Sequence, residues 1–474
     1  MEFLLRSIYA HAKFDPEAPA IMLGDRVITY RMLVSGVLSV ERHLKKLELD
    51  ENCLVGVIIE SPARHMIVAI ALLKMGVPFT SLMPSMVSAA EAVGMKYLLS
   101  DRNVMGYISS FLHVVEDQWF SSQVETERWD CSSSRDKKIV YLAFSSGSIG
   151  ISKAIGFTDN MLSNRFYMRP YDRLTGHRRY LLSFAPASMG LLLTTVSSLA
   201  QGCTVVFDQS PDEAVRLINF LGVDYIFGSN SRLQEMMDCV PKNAAPLYSV
   251  RAVFLGGSPL TKKLYGDLRL NFCARLFDSY GSTEAGTMGL ASGALLDEAV
   301  GSGHSRFVPV NNIQIVDEEG RPLVGLGRIA IRSDKLGVSF TGQLLNDEGF
   351  KSEDWFYPGD AGFIDDSGIL TLTGRTDFII NLGGAKFSPE VLEEELLKHQ
   401  NIDDVCVLRF DEKGSQILIA YVSPNLLSIE DIRAVIADER IASSVVKVVR
   451  QGAIPRTETG KIARKMLRDS ILGA

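Results

Sequence analysis

The stretch Ile139-Val140-Tyr141-Leu142-Ala143-Phe144, running into Ser145-Ser146-Gly147-Ser148-Ile149-Gly150-Ile151-Ser152-Lys153, decides how the chain reads. Its first six residues are apolar and partly β-branched, the composition of a short buried strand. The residues that follow are rich in serine, hold Gly147 and Gly150, and end on Lys153. Glycines let a backbone turn tightly and approach a ligand, hydroxyls donate hydrogen bonds, and lysine adds charge, so the group can cradle a phosphate. The same residues could also make a flexible surface turn. No Gly-Lys-Ser/Thr follows the spacer, so this is not the common nucleotide loop.

Working outward, the 474 residues exceed what one core supports, and two or more domains are expected. With 46% hydrophobic and 22% charged residues, the composition suits a globular protein. A net charge of −7 argues against a general nucleic-acid surface. The six cysteines, Cys53, Cys131, Cys203, Cys239, Cys273 and Cys406, have neither metal-ligand nor redox spacing, which reads as reduced, mostly buried thiols in a cytoplasmic protein. The N-terminus shows no signal peptide, and no apolar run reaches membrane-spanning length.

Before the opening strand, the pattern predicts helix, hairpin and helix over residues 1–50. The turn is Gly24-Asp25-Arg26, and Leu33, Val37, Val40 and Leu44 share one helical face. A buried strand at Leu54–Ile59 and an apolar helix at Pro62–Met75 follow, the latter stopped by Gly76. Residues 118–138 are polar and read as a surface connection. After the serine-rich loop, alternation resumes: strands at 180–185, 203–207, 225–227 and 250–255, helices at 190–200 and 211–221. This is an α/β layered pattern. From Val310 to Arg332 the period becomes two, which predicts antiparallel sheet, with a further hairpin around Asp366-Ser367-Gly368. Past Phe378 a small α+β unit is expected: helix 389–399, strands 405–409 and 417–422, helix 429–438, strand 445–449.

Five further stretches combine turns with functional groups. These are Gly256-Gly257-Ser258-Pro259, Tyr280-Gly281-Ser282-Thr283-Glu284, Trp355-Phe356-Tyr357-Pro358-Gly359-Asp360, Gly374-Arg375-Thr376-Asp377 and Pro455-Arg456-Thr457-Glu458-Thr459-Gly460-Lys461. Singly, each has a plain alternative: Tyr280 a core aromatic, Glu284 a solvated charge, Asp360 a cap, Lys461 an exposed lysine.

Taken in order, with the strand "IQIVDEEGRPL" and the segments "GRTDFIINLGGAKFSPEVLE" and "PRTETGKIARKML", these motifs resemble the superfamily of adenylate-forming enzymes: acyl- and aryl-CoA synthetases, peptide-synthetase adenylation domains and firefly luciferase. The resemblance covers essentially the whole chain. It implies a large αβαβα layered body with a small β-barrel-like part over residues 1–376, and a small mobile α+β lid over 377–474. It implies that ATP and Mg²⁺ activate a carboxylic acid to an acyl-adenylate, with pyrophosphate released and the acyl group passed to a thiol. By resemblance, Ser145, Ser146, Gly147, Ser148, Gly150 and Lys153 hold the β- and γ-phosphates. Tyr280 and Gly281 lie against the adenine, with Gly256, Gly257 and Ser258 on its other side. Thr283 contacts the α-phosphate and Glu284 holds the metal. Asp360 takes the ribose hydroxyls, and Arg375 reaches the ribose or phosphate. Lys461 bridges the attacking carboxylate and the α-phosphate, as attack by one anion on another demands. Asp377 is the hinge, and Gly383-Gly384 lines the thiol channel in the lid's second pose.

The sequence departs from this pattern twice. Ile149 and Ser152 replace a threonine and a proline of the loop, removing one hydroxyl that could meet phosphate. In Phe184-Ala185-Pro186-Ala187-Ser188-Met189-Gly190 there is neither the histidine or other aromatic of many CoA ligases nor the aspartate that pairs an amino-acid ammonium. An unpaired buried ammonium is costly, so Phe184, Met189 and Phe227 suit an uncharged aryl or acyl group. The expected activity is therefore an AMP-forming acid–thiol ligase acting on coenzyme A. The alternatives are loading of a carrier-protein phosphopantetheine, and a non-catalytic nucleotide-binding regulator. No nucleic-acid or membrane partner is expected; dimers are common in such ligases, but nothing in the sequence requires one.

Overall fold

The computed structural model describes all residues except 50–52, 102–111, 121–128, 130–138, 146–152, 168–177, 242–246, 273–274, 303–304, 334–335, 341–349, 352–354, 377–379, 383–384, 388, 398, 411–415, 438, 457–461 and 473–474. Two large sheets dominate it. In one, the parallel strands Pro19–Leu23, Thr204–Phe207, Arg179–Ser183, Tyr225–Gly228, Ala252–Gly256 and Arg275–Ser282 lie side by side. Thr204–Phe207, Tyr225–Gly228 and Ala252–Gly256 are buried on both faces, whereas Arg275–Ser282 alternates buried and half-exposed positions. Alternation then decides which neighbour a side chain meets: Tyr225 and Phe227 face the inner layer, while Ile226 faces the outer one.

The inner layer consists of the helices Glu2–Phe14, Tyr30–Lys46, Pro62–Met75 and Met189–Ala200. Their apolar residues share one core with Val55, Phe79 and Tyr141 of the second sheet. The predicted face Leu33, Val37, Val40 and Leu44 is wholly buried there. The outer layer on the first sheet is Pro211–Leu221, Asn230–Asp238 and Lys262–Asn271. On the second sheet, the helix Val87–Ala92 places Val87 and Ala90 against Ile58, Leu82 and Leu98. The stack is thus αβαβα.

The second sheet runs in the order Val338–Phe340, Lys153–Thr158, Ile139–Ser145, Phe79–Ser81, Leu54–Ile58, Met95–Ser100, Leu112–Val114. The first sheet continues beyond Arg275–Ser282 as antiparallel strands. Gly286–Ser292 and Arg306–Pro309 lead into Leu370–Arg375, Asp360–Ile364 and Gly327–Arg332, with Asn312–Val316 on the last. The period-two segment therefore forms the predicted antiparallel part. Residues 389–472 hold two apolar clusters of their own, on either face of Asp404–Arg409, Ile417–Val422 and Val445–Arg450.

Two expectations need correction. Residues 118–138 are not all surface connection: Trp119 and Trp129 are buried, stacked on His43 (5.1 Å) and Tyr9 (5.4 Å) respectively. Local polarity hid two anchors whose burial depends on distant helices. The helix expected over 429–438 ends at Val435, where Ile436 turns extended (φ −82°, ψ 116°).

Candidate active site

Gly256, Tyr280, Asp360 and Arg375 come together at the C-terminal ends of the parallel strands, where open α/β sheets bind ligands. Ala252–Gly256 and Arg275–Ser282 are neighbours, with Gly256 opposite Ser279. A β-carbon on Gly256 would lie 2.6 Å from the Ser279 carbonyl oxygen, so only glycine fits. Gly257 then adopts φ +88°, with nothing within 4 Å of where a side chain would stand. The backbone there offers an open, side-chain-free shelf.

Across from it, Tyr280 is buried, its ring stacked on Phe307 (5.6 Å). Its hydroxyl donates to Asp360 Oδ2 at 2.5 Å. Asp360 opens the strand Asp360–Ile364, and its strand partner Arg375 donates to Oδ1 at 3.2 Å and to the Pro358 carbonyl at 2.5 Å. Gly359, at φ +79°, makes the corner that presents the carboxylate. Burial, with Asp360 beside it, raises the Tyr280 phenol well above its ordinary value, so the phenol remains a donor. A carboxylate has room for about four hydrogen bonds, so ribose hydroxyls can add to or displace these partners.

Thr283 and Glu284 form the turn after the Tyr280 strand. The Glu284 carbonyl accepts from the Gly337 amide at 2.8 Å. The next strand, Val338–Phe340, pairs with Lys153–Thr158, which leaves the serine-rich loop. That loop joins two antiparallel strands whose ends, Ser145 and Lys153, are in register. The Glu284 turn is thus tied, through Gly337, to the strand that leaves the loop, at its Ile155–Phe157 end. Ser146, Gly147, Ser148 and Gly150 lie outside the described residues, as do Asp377, Gly383, Gly384 and Lys461. Ser258 is fixed by its carbonyl, which accepts from the buried Asn230 amide at 2.6 Å.

Phe227 stacks on Phe254 (4.4 Å), and Phe254 on Phe277 (4.8 Å), so a row of rings crosses three strands. Met189 opens the helix Met189–Ala200, capped by Ser188, whose hydroxyl accepts from the Leu191 amide. Phe184 packs where Gly190 lacks a side chain. Phe254 and Phe277 were missed from the sequence; their position on adjacent strands was the available signal.

Another missed residue is Arg165, on the helix Asp159–Tyr167. Its guanidinium is buried, lies 4.3 Å from the Phe157 ring centroid, and donates to the carbonyls of Thr283 (2.7 Å) and Glu284. Desolvation lowers its pKa to about 9, still well above neutrality, so it stays a cation.

Residues 8–338, more than half of the chain, match the AMP-binding enzyme family, and the chain belongs to it. It is 26% identical over 365 residues to the medium-chain fatty-acid–CoA ligase of Escherichia coli K12, covering 71% of this chain and 62% of that enzyme. It is 33% identical over 239 residues to 4-coumarate–CoA ligase 2 of Nicotiana tabacum, covering 47% and 43%. In both cases the match spans less than two thirds of the relative's length. Among solved structures it superposes on O-succinylbenzoate coenzyme A synthetase from Bacillus subtilis in complex with AMP, at a TM-score of 0.83, 20% identity and 98% of both chains. The fold is therefore that of this adenylate-forming class. No helix among the described residues is long and apolar enough to cross a membrane.

Proposed function

We propose that the protein activates a carboxylic acid with ATP to an acyl-adenylate, releasing pyrophosphate, and transfers the acyl group to the thiol of coenzyme A. The observation that carries this reading is the Tyr280–Asp360–Arg375 cluster beside the Gly256-Gly257 shelf, in a chain of the AMP-binding family. The shelf and the Tyr280 ring suit a flat base. Asp360 suits a ribose, and the serine-rich loop whose ends Ser145 and Lys153 are paired suits phosphates. The residues fit a divalent cation at Glu284, where its charge would offset the leaving pyrophosphate.

Within this reading, Thr283 contacts the α-phosphate and Lys461 neutralises the two anions as they meet. Phe184, Met189 and Phe227 receive an uncharged aryl or acyl chain, which the aromatic row supports. Residues 377–474 act as a lid turning at Asp377, with Gly383-Gly384 approaching the thiol in its second pose. The separate apolar clusters of residues 389–472 support a unit that moves as a body. Transfer to a carrier-protein phosphopantetheine uses the same thiol arm and is the alternative.

The test is acid-dependent pyrophosphate release with ATP and Mg²⁺, over aryl, short-chain, medium-chain and dicarboxylic acids, with and without coenzyme A. Lys461→Ala serves as control and should lose on the order of 10²–10³ in rate. Thioester formation on coenzyme A supports the ligase. Pyrophosphate release without a coenzyme A thioester moves the assignment to carrier loading. Silence with every acid refutes adenylation and favours a nucleotide-binding regulator.

A further inference from the structure

Arg165 belongs to none of the motifs that define the nucleotide site, yet it is one of the few charged side chains buried in the body of the protein. It sits where three functional elements meet. Its helix follows directly on the strand Lys153–Thr158, which leaves the serine-rich loop. One terminal nitrogen donates to the Thr283 carbonyl at 2.7 Å and touches Met189 Sδ at 3.2 Å; the other donates to the Glu284 carbonyl. Gly286 lies against the same guanidinium, 3.7 Å from where its side chain would begin. That is ordinary van der Waals contact; it is the φ of +71° that favours glycine at this position.

Taking a guanidinium out of water is expensive unless its donors are used. Here the donors are aimed at the two consecutive carbonyls of the turn that ends in Glu284. A planar fork with fixed geometry can hold two acceptors in one orientation, which a lysine cannot do. Seating both carbonyls fixes the peptide planes of the turn, and with them the direction in which the Thr283 and Glu284 side chains leave the backbone.

We infer that Arg165 is a positioning residue for metal-bound ATP: it sets the Thr283–Glu284 turn in the orientation that receives the metal and the α-phosphate, and links that turn to the loop strand and to Met189. The inference rests on the proposed role of Glu284. It separates two halves of the nucleotide site. In the half that receives adenine and ribose, Tyr280 and Arg375 are held by Asp360, whereas Arg165 donates to the carbonyls of the metal-bearing half.

The test compares Arg165→Met and Arg165→Lys with the unaltered protein by thermal unfolding. The ligands are adenosine alone, and the non-cleavable analogue α,β-methylene-ATP titrated with Mg²⁺. Hydrogen bonds from a charged donor are worth about 10- to 100-fold. The Mg²⁺ concentration for half-maximal stabilisation should therefore rise by about that factor in Arg165→Met, and less in Arg165→Lys, which keeps one charged donor. The adenosine shift should stay within about twofold in both, which also shows that the variants fold. In pyrophosphate release, the KM for MgATP should rise while the KM for the acid moves little. An unchanged Mg²⁺ requirement overturns the inference. So does equal loss of the adenosine and nucleotide-analogue shifts, which would make Arg165 merely structural. If Arg165→Met does not fold, Arg165→Lys alone decides by the same comparison. If the unaltered protein responds to neither ligand, the nucleotide site itself is wrong, and the inference falls with it.

Discussion

Removing the guanidinium of Arg464 should loosen the segment that carries Lys461, and the structure sets the scale. Arg464 binds Glu393 through both terminal nitrogens, one at 2.8 Å from Oε2 and the other on Oε1. It also donates to the Val407 carbonyl at 3.1 Å and lies 3.3 Å from Cys406 Sγ. Both side chains are about one-tenth exposed. Glu393 in turn accepts from the Val407 amide at 2.7 Å. The pair thus locks the helix Pro389–Leu396, the strand Asp404–Arg409 and the helix Arg464–Leu472 together. Just before Arg464, the Ala463 amide donates to the Pro455 carbonyl and Ile462 bridges Arg456, so the chain is held together on either side of residues 457–461.

In Arg464→Met, Glu393 is left as a buried carboxylate without its guanidinium, the Val407 amide still donating to it. Breaking a buried pair this way costs about 3–5 kcal/mol, whereas replacing both partners by apolar residues is often near neutral. Cys406 provides the local readout. It is fully buried, and its thiol is pushed up to about 12, by burial first and by Glu393 second. It reacts only when the unit opens. Pulsed alkylation with peptide mass spectrometry should show Cys406 labelling about 10²- to 10³-fold faster in Arg464→Met, following the opening equilibrium at about 1.4 kcal/mol per decade. In Glu393→Leu/Arg464→Met, labelling should return to within about tenfold of the unaltered rate. Single and double variants labelling equally fast, or Cys406 staying protected in Arg464→Met, would refute this account of the pair.

Two more outcomes follow from the site. Tyr280→Phe removes the hydroxyl from Asp360 and should raise the KM for ATP about tenfold, from roughly 1.5 kcal/mol for a hydrogen bond to a charged acceptor. The KM for the acid should hold; steady-state kinetics at saturating acid reads both. Burial raises Asp278, on the same strand, to about 7. Its folded pKa exceeds its unfolded one, so its contribution to stability is whole below about pH 4 and is lost as pH climbs to 7. Asp278→Asn should therefore gain a few kcal/mol relative to the unaltered protein between pH 5 and pH 8 in urea titrations; parallel pH profiles would show that the carboxyl is not buried as described.

The sequence alone determined the α/β alternation of the body, though not the helices Asp159–Tyr167, Asn230–Asp238 and Lys262–Asn271 or the strand Arg275–Ser282. Short apolar runs bounded by Gly and Pro are local signals, and Pro62–Met75 and Pro211–Leu221 fell where their starts and stops placed them. It also determined the switch to antiparallel sheet, because a period of two needs no tertiary knowledge. The motif residues Tyr280, Asp360 and Arg375 were legible by type and order, and the fold supplied their contact: residues 80 positions apart share a hydrogen bond only because adjacent sheet segments bring them together. Trp119, Trp129, Arg165 and the Phe227–Phe254–Phe277 row were not legible. Each gains its role from partners far away in the chain. A polar neighbourhood, an arginine in a helix or isolated phenylalanines look ordinary until packing decides what lies opposite. Local preference writes the elements, whereas burial and desolvation, which belong to the assembled layers, choose which charged and aromatic side chains hold the site together.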